Sequence, residues 1–263
     1  MRQLSYLYLF VFIFSFSHLT SAQQDSNPMG KTWVVFIENS EYTSFASLSG
    51  PVTDIELMKE SLGGYVIDRV LHLKNMTKQD MEVFFSTELR DLVIENEVNA
   101  IMVWYAGHGK FINNIGYWIP VDATLDDEFT YYNINTLRAS LKEYSDLVTN
   151  TLVVTDACES GPTFYQAMRS IPTNRDCSEL FAGTARSSQV LTSSGYEFAT
   201  ENSAFTRTFA NALSNNQNPC LPIENIVTQV TIEASRSNQA RPRFGKIAGL
   251  EDEGGTFFFI ARE

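Results

Sequence analysis

Two segments of the same shape end in residues able to do chemistry together. Leu152-Val153-Val154 is an apolar β-branched run that stops in the small polar residues Thr155-Asp156-Ala157-Cys158-Glu159-Ser160-Gly161. Upstream, Ala100 to Tyr105 is a second such run, followed by Ala106-Gly107-His108-Gly109. In an open α/β sheet the carboxyl ends of parallel strands face the ligand crevice, so two adjacent parallel strands set His108 beside Cys158. A free thiol is only a few per cent thiolate near neutral pH, and a neighbouring imidazole turns it into a nucleophile by taking its proton. Gly107 and Gly109 permit close backbone approach, and the amides of Gly109 and Cys158 are placed to hold the oxyanion of a tetrahedral intermediate. A lone cysteine is ordinarily a small core residue and a lone histidine ordinarily structural. Both at matching strand ends, among glycines and small residues, point to nucleophilic catalysis instead.

Those two strand ends need a scaffold, and the flanking patterns supply one. Thr32 to Ile37 reads as a first buried strand, Asn39 to Gly50 as a polar loop, and Pro51 to Leu62 as a helix with Thr53 at its N-cap. Tyr65 to Leu73 is a second strand; its His72 faces no motif and is read as structural or exposed. Thr77 is expected to cap a helix from Lys78 to about Glu95, with Met81, Phe84, Phe85, Leu89 and Leu92 forming its core stripe. A hairpin is expected around Ile112 to Gly116, an acidic loop ending near Glu128, and a helix from Ile134 to Tyr144. After the Cys158 strand come a helical stretch opening at Pro162 to Met168, a polar connection from Ile171 to Arg186 and a strand at Val190 to Ser194. Helices at Ser203 to Leu213 and Ile223 to Ala234 follow, and Thr256 to Ile260 closes the sheet after the Gly254-Gly255 turn. This alternation predicts an α/β fold, a mostly parallel sheet with helices on both faces.

Composition narrows the class further. A chain of 263 residues, 44% of them hydrophobic, suffices for one sizeable core. The formal charge of −12 disfavours nucleic acid as a partner and favours basic peptides. Residues 1–22 read as a secretory signal, with Arg2, an apolar core from Leu4 to Phe16, and small residues at Thr20-Ser21-Ala22. That run is shorter than the roughly 20 residues of a spanning helix, so export to a secreted, periplasmic or other extracytoplasmic location is expected, without stable membrane insertion. Residues 23–30 then form a linker. Cys158, Cys177 and Cys220 are an odd number; Cys158 is the natural free thiol, and Cys177 and Cys220 are either a bridge or two buried thiols. Met29-Gly30-Lys31-Thr32 ends like a phosphate-binding loop, but Asp25 stands where its first glycine belongs, which excludes nucleotide binding there.

The blocks YAGHG and DACESG resemble the two signature blocks of the caspase-like cysteine peptidases, the superfamily of caspases, metacaspases, legumains and gingipains. The Asp two before the cysteine is closest to the metacaspase and bacterial caspase-like form. Glu159 and Ala106 depart from its common residues, which are His or Arg after the nucleophile and Ser two before the histidine. The resemblance implies a caspase-like peptidase domain over residues 31–263, with about six mostly parallel strands and the site across their carboxyl ends. It implies a cysteine endopeptidase with Cys158 as nucleophile and His108 as base, and places Asp156 and Asp54 in a pocket that accepts Arg or Lys before the cut. No cofactor is required by that chemistry. Metacaspase relatives often need calcium, and Asp126-Asp127 resembles part of their site, although Tyr165 replaces one of its acids and a solvated loop is the plainer reading. The polar connection carrying Arg169 and Arg175 is where such enzymes are often self-cleaved. The alternatives are a caspase-like module that binds partners without catalysis, and a legumain-like transpeptidase. Oligomeric state is left open.

Overall fold

A computed structural model describes residues 27–157, 165–168, 175–181, 185–194 and 204–262. The leader at 1–22, Cys158, Glu159, Pro162 and Arg169 lie outside the described residues. In chain order the elements are β1 (Thr32–Glu38), α1 (Gly50–Leu62), β2 (Arg69–Lys74), α2 (Lys78–Val83), a π-helical turn at Phe84–Glu88, α3 (Leu89–Asn96), β3 (Ala100–Ala106), β4 (Gly109–Ile112) and β5 (Ile115–Trp118). A 3-10 turn at Glu128–Thr130, β6 (Tyr132–Asn133), α4 (Ile134–Glu143), β7 (Asn150–Asp156), β8 (Tyr165–Met168) and α5 (Ser178–Phe181) follow. The chain then runs through β9 (Ser187–Thr192), α6 (Ala204–Ser214), β10 (Cys220–Pro222), α7 (Ile223–Arg236), β11 (Arg243–Ile247) and β12 (Phe258–Ile260).

The central sheet has the order β2-β1-β3-β7-β9-β11-β8. β2, β1, β3, β7 and β9 pair in parallel, β11 is antiparallel to β9, and short β8 extends the edge beyond β11. This is the expected sheet of about six mostly parallel strands, with one further edge strand. The uninterrupted apolar runs of β1 and β3 follow from burial on both faces, and every residue of each is buried. The pleat sorts alternate residues into two cores. Val34, Phe36, Met102, Trp104, Leu152, Val154 and Leu191 pack beneath α1, α6 and α7. Trp33, Val35, Ile101, Val103, Tyr105 and Val153 pack beneath the helix running from α2 through α3 and beneath α4. Asp156 is two residues past Val154 and so belongs to the α1/α6 side of the sheet.

Several expectations are corrected. Thr53 is not the N-cap of α1; Ser49 is, without a side-chain cap bond, and Thr53 sits inside the first turn with its hydroxyl 3.5 Å from the Ser49 carbonyl. Pro51 near the helix start already lacks an amide hydrogen, which lessens the need for a capping side chain. Tyr165–Met168 is a strand rather than a helix, because pairing with β11 satisfies backbone groups that a free sheet edge would leave open. Phe258–Ile260 does not close the central sheet; β12 pairs antiparallel with β10, and β11 takes the expected place beside β9. Tyr65 is outside β2 and bridges to Ala261. His72 is structural, with Nε2 2.7 Å from a Glu38 carboxylate oxygen and Nδ1 2.6 Å from Lys59 Nζ.

Candidate active site

Register brings the two motif-bearing strand ends together. Ala106 at the end of β3 pairs with Asp156 at the end of β7, and the Gly107 amide donates to the Asp156 carbonyl at 3.3 Å. His108 therefore leaves the sheet beside β7, while Cys158, two residues beyond Asp156 in the chain, is outside the described residues. Gly107 is required by close approach: a Cβ there would lie 2.6 Å from the Tyr42 hydroxyl and 2.7 Å from that of Tyr105. Gly109 opens β4, which returns to β5 through Asn113-Asn114, both at positive φ, as the expected hairpin.

His108 is held on three sides. Its amide donates to the Tyr42 hydroxyl at 2.8 Å, and its carbonyl accepts from the Tyr105 hydroxyl at 2.7 Å. The imidazole packs against the rings of Tyr42 and Phe45, with centroids 4.7 and 5.6 Å away. Its Nε2 is 2.8 Å from the Ala46 carbonyl oxygen. A carbonyl can only accept, so Nε2 carries the hydrogen, and in the neutral ring Nδ1 bears the lone pair. The loop after β1 thus sets both the orientation and the tautomer of the His108 imidazole.

The second cluster is acidic. Asp156, at the end of β7, accepts from the Thr206 hydroxyl of α6 at 2.6 Å. Burial pushes its carboxyl up, against the lowering effect of Thr206 and of Ser193, whose hydroxyl makes no hydrogen bond of ordinary geometry. Asp54, in the first turns of α1, is raised to about 7, chiefly by burial and then by the charge of Asp156, while Arg207 of α6 pulls it down. The two carboxylates expected to share a pocket are thus close enough to repel.

Family comparison decides what this arrangement belongs to. Residues 31–248 match the family model described as "Caspase domain". The chain belongs to the caspase-domain peptidase family. The crystal structure of caspase-1 from Spodoptera frugiperda superimposes with a TM-score of 0.60 at 13% identity, covering 85% of this chain and 89% of that one, a likeness of fold. No curated protein matches the chain. A caspase-domain chain is a cysteine peptidase in general, and protein or peptide substrates follow from that class.

Within this caspase domain, sequence reasoning did not single out Ala46, Tyr42, Thr206 or Arg207. A backbone carbonyl such as that of Ala46 leaves no side-chain signature at all. Arg207 left a faint one, a cation in the first turn of a helix that has no acidic residue there. Among the described residues no group of three or more His, Cys, Asp or Glu side chains could hold a metal ion. Asp127 is used to accept the Phe129 amide at 3.2 Å. Calcium takes six or more oxygen ligands, and the described carboxylates bring no cluster of three toward such a set. No helix among the described residues is long and apolar enough to cross a membrane. Arg175 is tied down, with Nη1 2.6 Å from Glu179 and Nη2 donating to the Gly254 carbonyl at 2.7 Å. The cavity of about 220 Å³ beside it is also lined by Asn150, at the amino end of β7, and so lies at the pole opposite the strand ends.

Proposed function

We propose that the chain is an exported cysteine endopeptidase that cuts after Arg or Lys. The observation that carries the specificity is the convergence of Asp54 and Asp156 on the α1/α6 side of the sheet's carboxyl end. Two carboxylates held close in a partly buried place destabilise one another, and an arriving guanidinium or ammonium supplies the missing countercharge. An acidic side chain would add a third like charge.

In the reaction, the Cys158 thiol gives its proton to His108 and the sulfur attacks the scissile carbonyl. Nδ1 is the receiving atom, because the Ala46 carbonyl holds the hydrogen on Nε2. The amides of Gly109 and Cys158 take the oxyanion, and the imidazolium protonates the leaving amine. Water, deprotonated by the same imidazole, then releases the acyl group from sulfur. No cofactor enters these steps. Export is supported by the apolar amino-terminal run and by the Cys177–Cys220 disulfide, since such bridges persist in oxidising compartments.

Fluorogenic peptides ending in Arg, Lys, Asp or Asn test this reading. The Arg and Lys peptides should be turned over and the Asp peptide not, with all turnover lost in Cys158→Ala. Faster release from Asp or Asn would overturn the specificity, and the absence of any Cys158-dependent cleavage would favour the binding-module alternative.

A further inference from the structure

The first turn of α6 reaches both acidic residues, and the register of two helices shows how. α1 and α6 pack side by side in one core, through Ile55, Met58 and Leu62 against Phe205, Phe209 and Leu213. Near their carboxyl ends the Ser214 hydroxyl donates to that of Ser61 at 3.3 Å, and the Tyr65 hydroxyl donates to the Leu213 carbonyl at 2.7 Å. The helices therefore run parallel. Seven residues earlier on each, two helical turns and the same face, stand Asp54 and Arg207. The Ser61–Ser214 register thus predicts the Asp54–Arg207 proximity that their electrostatic interaction reports. One position before, Thr206 donates to Asp156.

Arg207 is poorly placed for its own helix. A cation in the first turn opposes the positive end of the helix dipole, and α6 has no acid there to offset it. Its side chain is exposed and so able to move.

We infer that Arg207 is a specificity-determining residue, a tethered cation that faces Asp54 in the empty enzyme and is displaced by the basic side chain of the substrate. The inference rests on the proposed specificity for Arg and Lys. It makes the pocket self-screened: the acidic pair is partly neutralised until a better-placed cation arrives, and weak cations are rejected because they must first compete with Arg207.

The charged groups facing Asp54 are Asp156 from β7 and Arg207 from α6; on its own helix the nearby Glu56 is paired with Lys59 at 2.9 Å. Removing Arg207 has two effects of known sign. The competitor is lost, which tightens cation binding wherever Asp54 is ionised. Asp54 also loses the one charge that pulls it down, so its ionisation moves to higher pH. At pH 8.5 the first effect should dominate, and near pH 6.5 the second.

The test measures binding of benzamidine, an aryl amidinium, to the full chain carrying Cys158→Ala, by calorimetry at pH 8.5, which needs no turnover. Arg207→Gln should bind about threefold or more tightly than the parent, and Arg207→Lys should stay close to the parent because it keeps the charge. In the active chain, Arg207→Gln should lower KM for an Arg peptide at pH 8.5 with kcat little changed, and shift the acidic limb of kcat/KM upward. A merely structural arginine would weaken binding when removed and leave the pH limb in place. Equal or weaker benzamidine binding by Arg207→Gln, or no binding by either chain, overturns the inference. Failure of the wild-type chain to cleave Arg and Lys peptides overturns the underlying specificity instead, so the two failures are told apart.

Discussion

At the scale of single residues, Asp54 of the proposed pocket also makes stability depend on pH, with a definite sign. Its carboxyl titrates at about 7 in the folded chain against an ordinary value of 3.8. Between those values the folded chain holds a proton that the unfolded chain has released, so folding stability falls as pH rises from about 4 through 7. Above 7 the folded chain carries a charge that burial and Asp156 both disfavour. Asp54→Asn should therefore leave stability unchanged near pH 4 and raise it at pH 8, by on the order of 1–2 kcal/mol once solvent screening of a partly exposed group is allowed for. The same substitution should reduce kcat/KM for Arg peptides by about tenfold or more, since one of the two acceptors for the cation is gone. Such opposition between stability and activity is what a binding pocket produces and a structural ion pair does not. Thermal melts at pH 4 and pH 8 check it; a lower melting temperature for Asp54→Asn at pH 8 would make the carboxyl a structural group. Asp54, Asp156 and His108 could be picked out from the sequence because each sits in a short motif, and the fold brings the strand ends carrying His108 and Asp156 side by side. Arg207 was not, because its meaning comes from the α1/α6 register and from nothing adjacent to it in the chain.

At the scale of elements, what could be read depended on whether the cause of the structure was local. β1, β3 and β7 announce themselves as unbroken apolar runs, since a strand covered on both faces has no polar side to alternate. Tyr165–Met168 and Arg243–Ile247 do not, for they are extended because each pairs with a neighbour distant in sequence. The same contrast divides two threonines. Thr77 forms a reciprocal capping box with Asp80, accepting from its amide at 3.1 Å while the Thr77 amide donates to the Asp80 carboxylate at 3.0 Å. Thr53, expected to play that part for α1, is exposed inside the helix and caps nothing. Thr77→Ala should then cost about 1 kcal/mol and Thr53→Ala no more than roughly 0.5 kcal/mol in either direction. Urea denaturation of both variants measures the difference. Because α2 covers the face opposite α1 and α6, Thr77→Ala should leave cleavage of Arg peptides unchanged. Equal losses in the two variants would mean that neither threonine acts through its cap geometry.

At the scale of the whole molecule, the bridge between Cys177 and Cys220 answers a question that composition left open, and it leaves Cys158 for the proposed chemistry. Cys177 and Cys220 are bridged, with Cα atoms 5.8 Å apart, and tie the segment entering α5 to β10 of the two-stranded sheet. Cys220 is buried in the same core as Phe209, Ile223 and Phe259, so the bridge anchors α5 to the layer formed by α6, α7 and β12. The bridged residues are 43 apart in sequence. Closing a loop of that length in the unfolded chain corresponds to about 4 kcal/mol in the chain-entropy account, and measured bridges commonly give about 2–4 kcal/mol. One thiol remains, that of Cys158. Unfolded without reductant, the chain should therefore take up a single iodoacetamide adduct at Cys158, and after reduction three. In the folded chain the Cys158 adduct should form much faster than on an unperturbed thiol and slow in His108→Ala, because the imidazole supplies the thiolate. Reduction alone should lower the urea midpoint by an amount equivalent to about 2–4 kcal/mol. Three adducts on the unreduced, unfolded chain would remove the bridge, and with it the structural support for an oxidising destination. A single adduct mapped to Cys177 or Cys220 would instead place the nucleophile's own sulfur in a disulfide and leave the peptidase inactive until reduced.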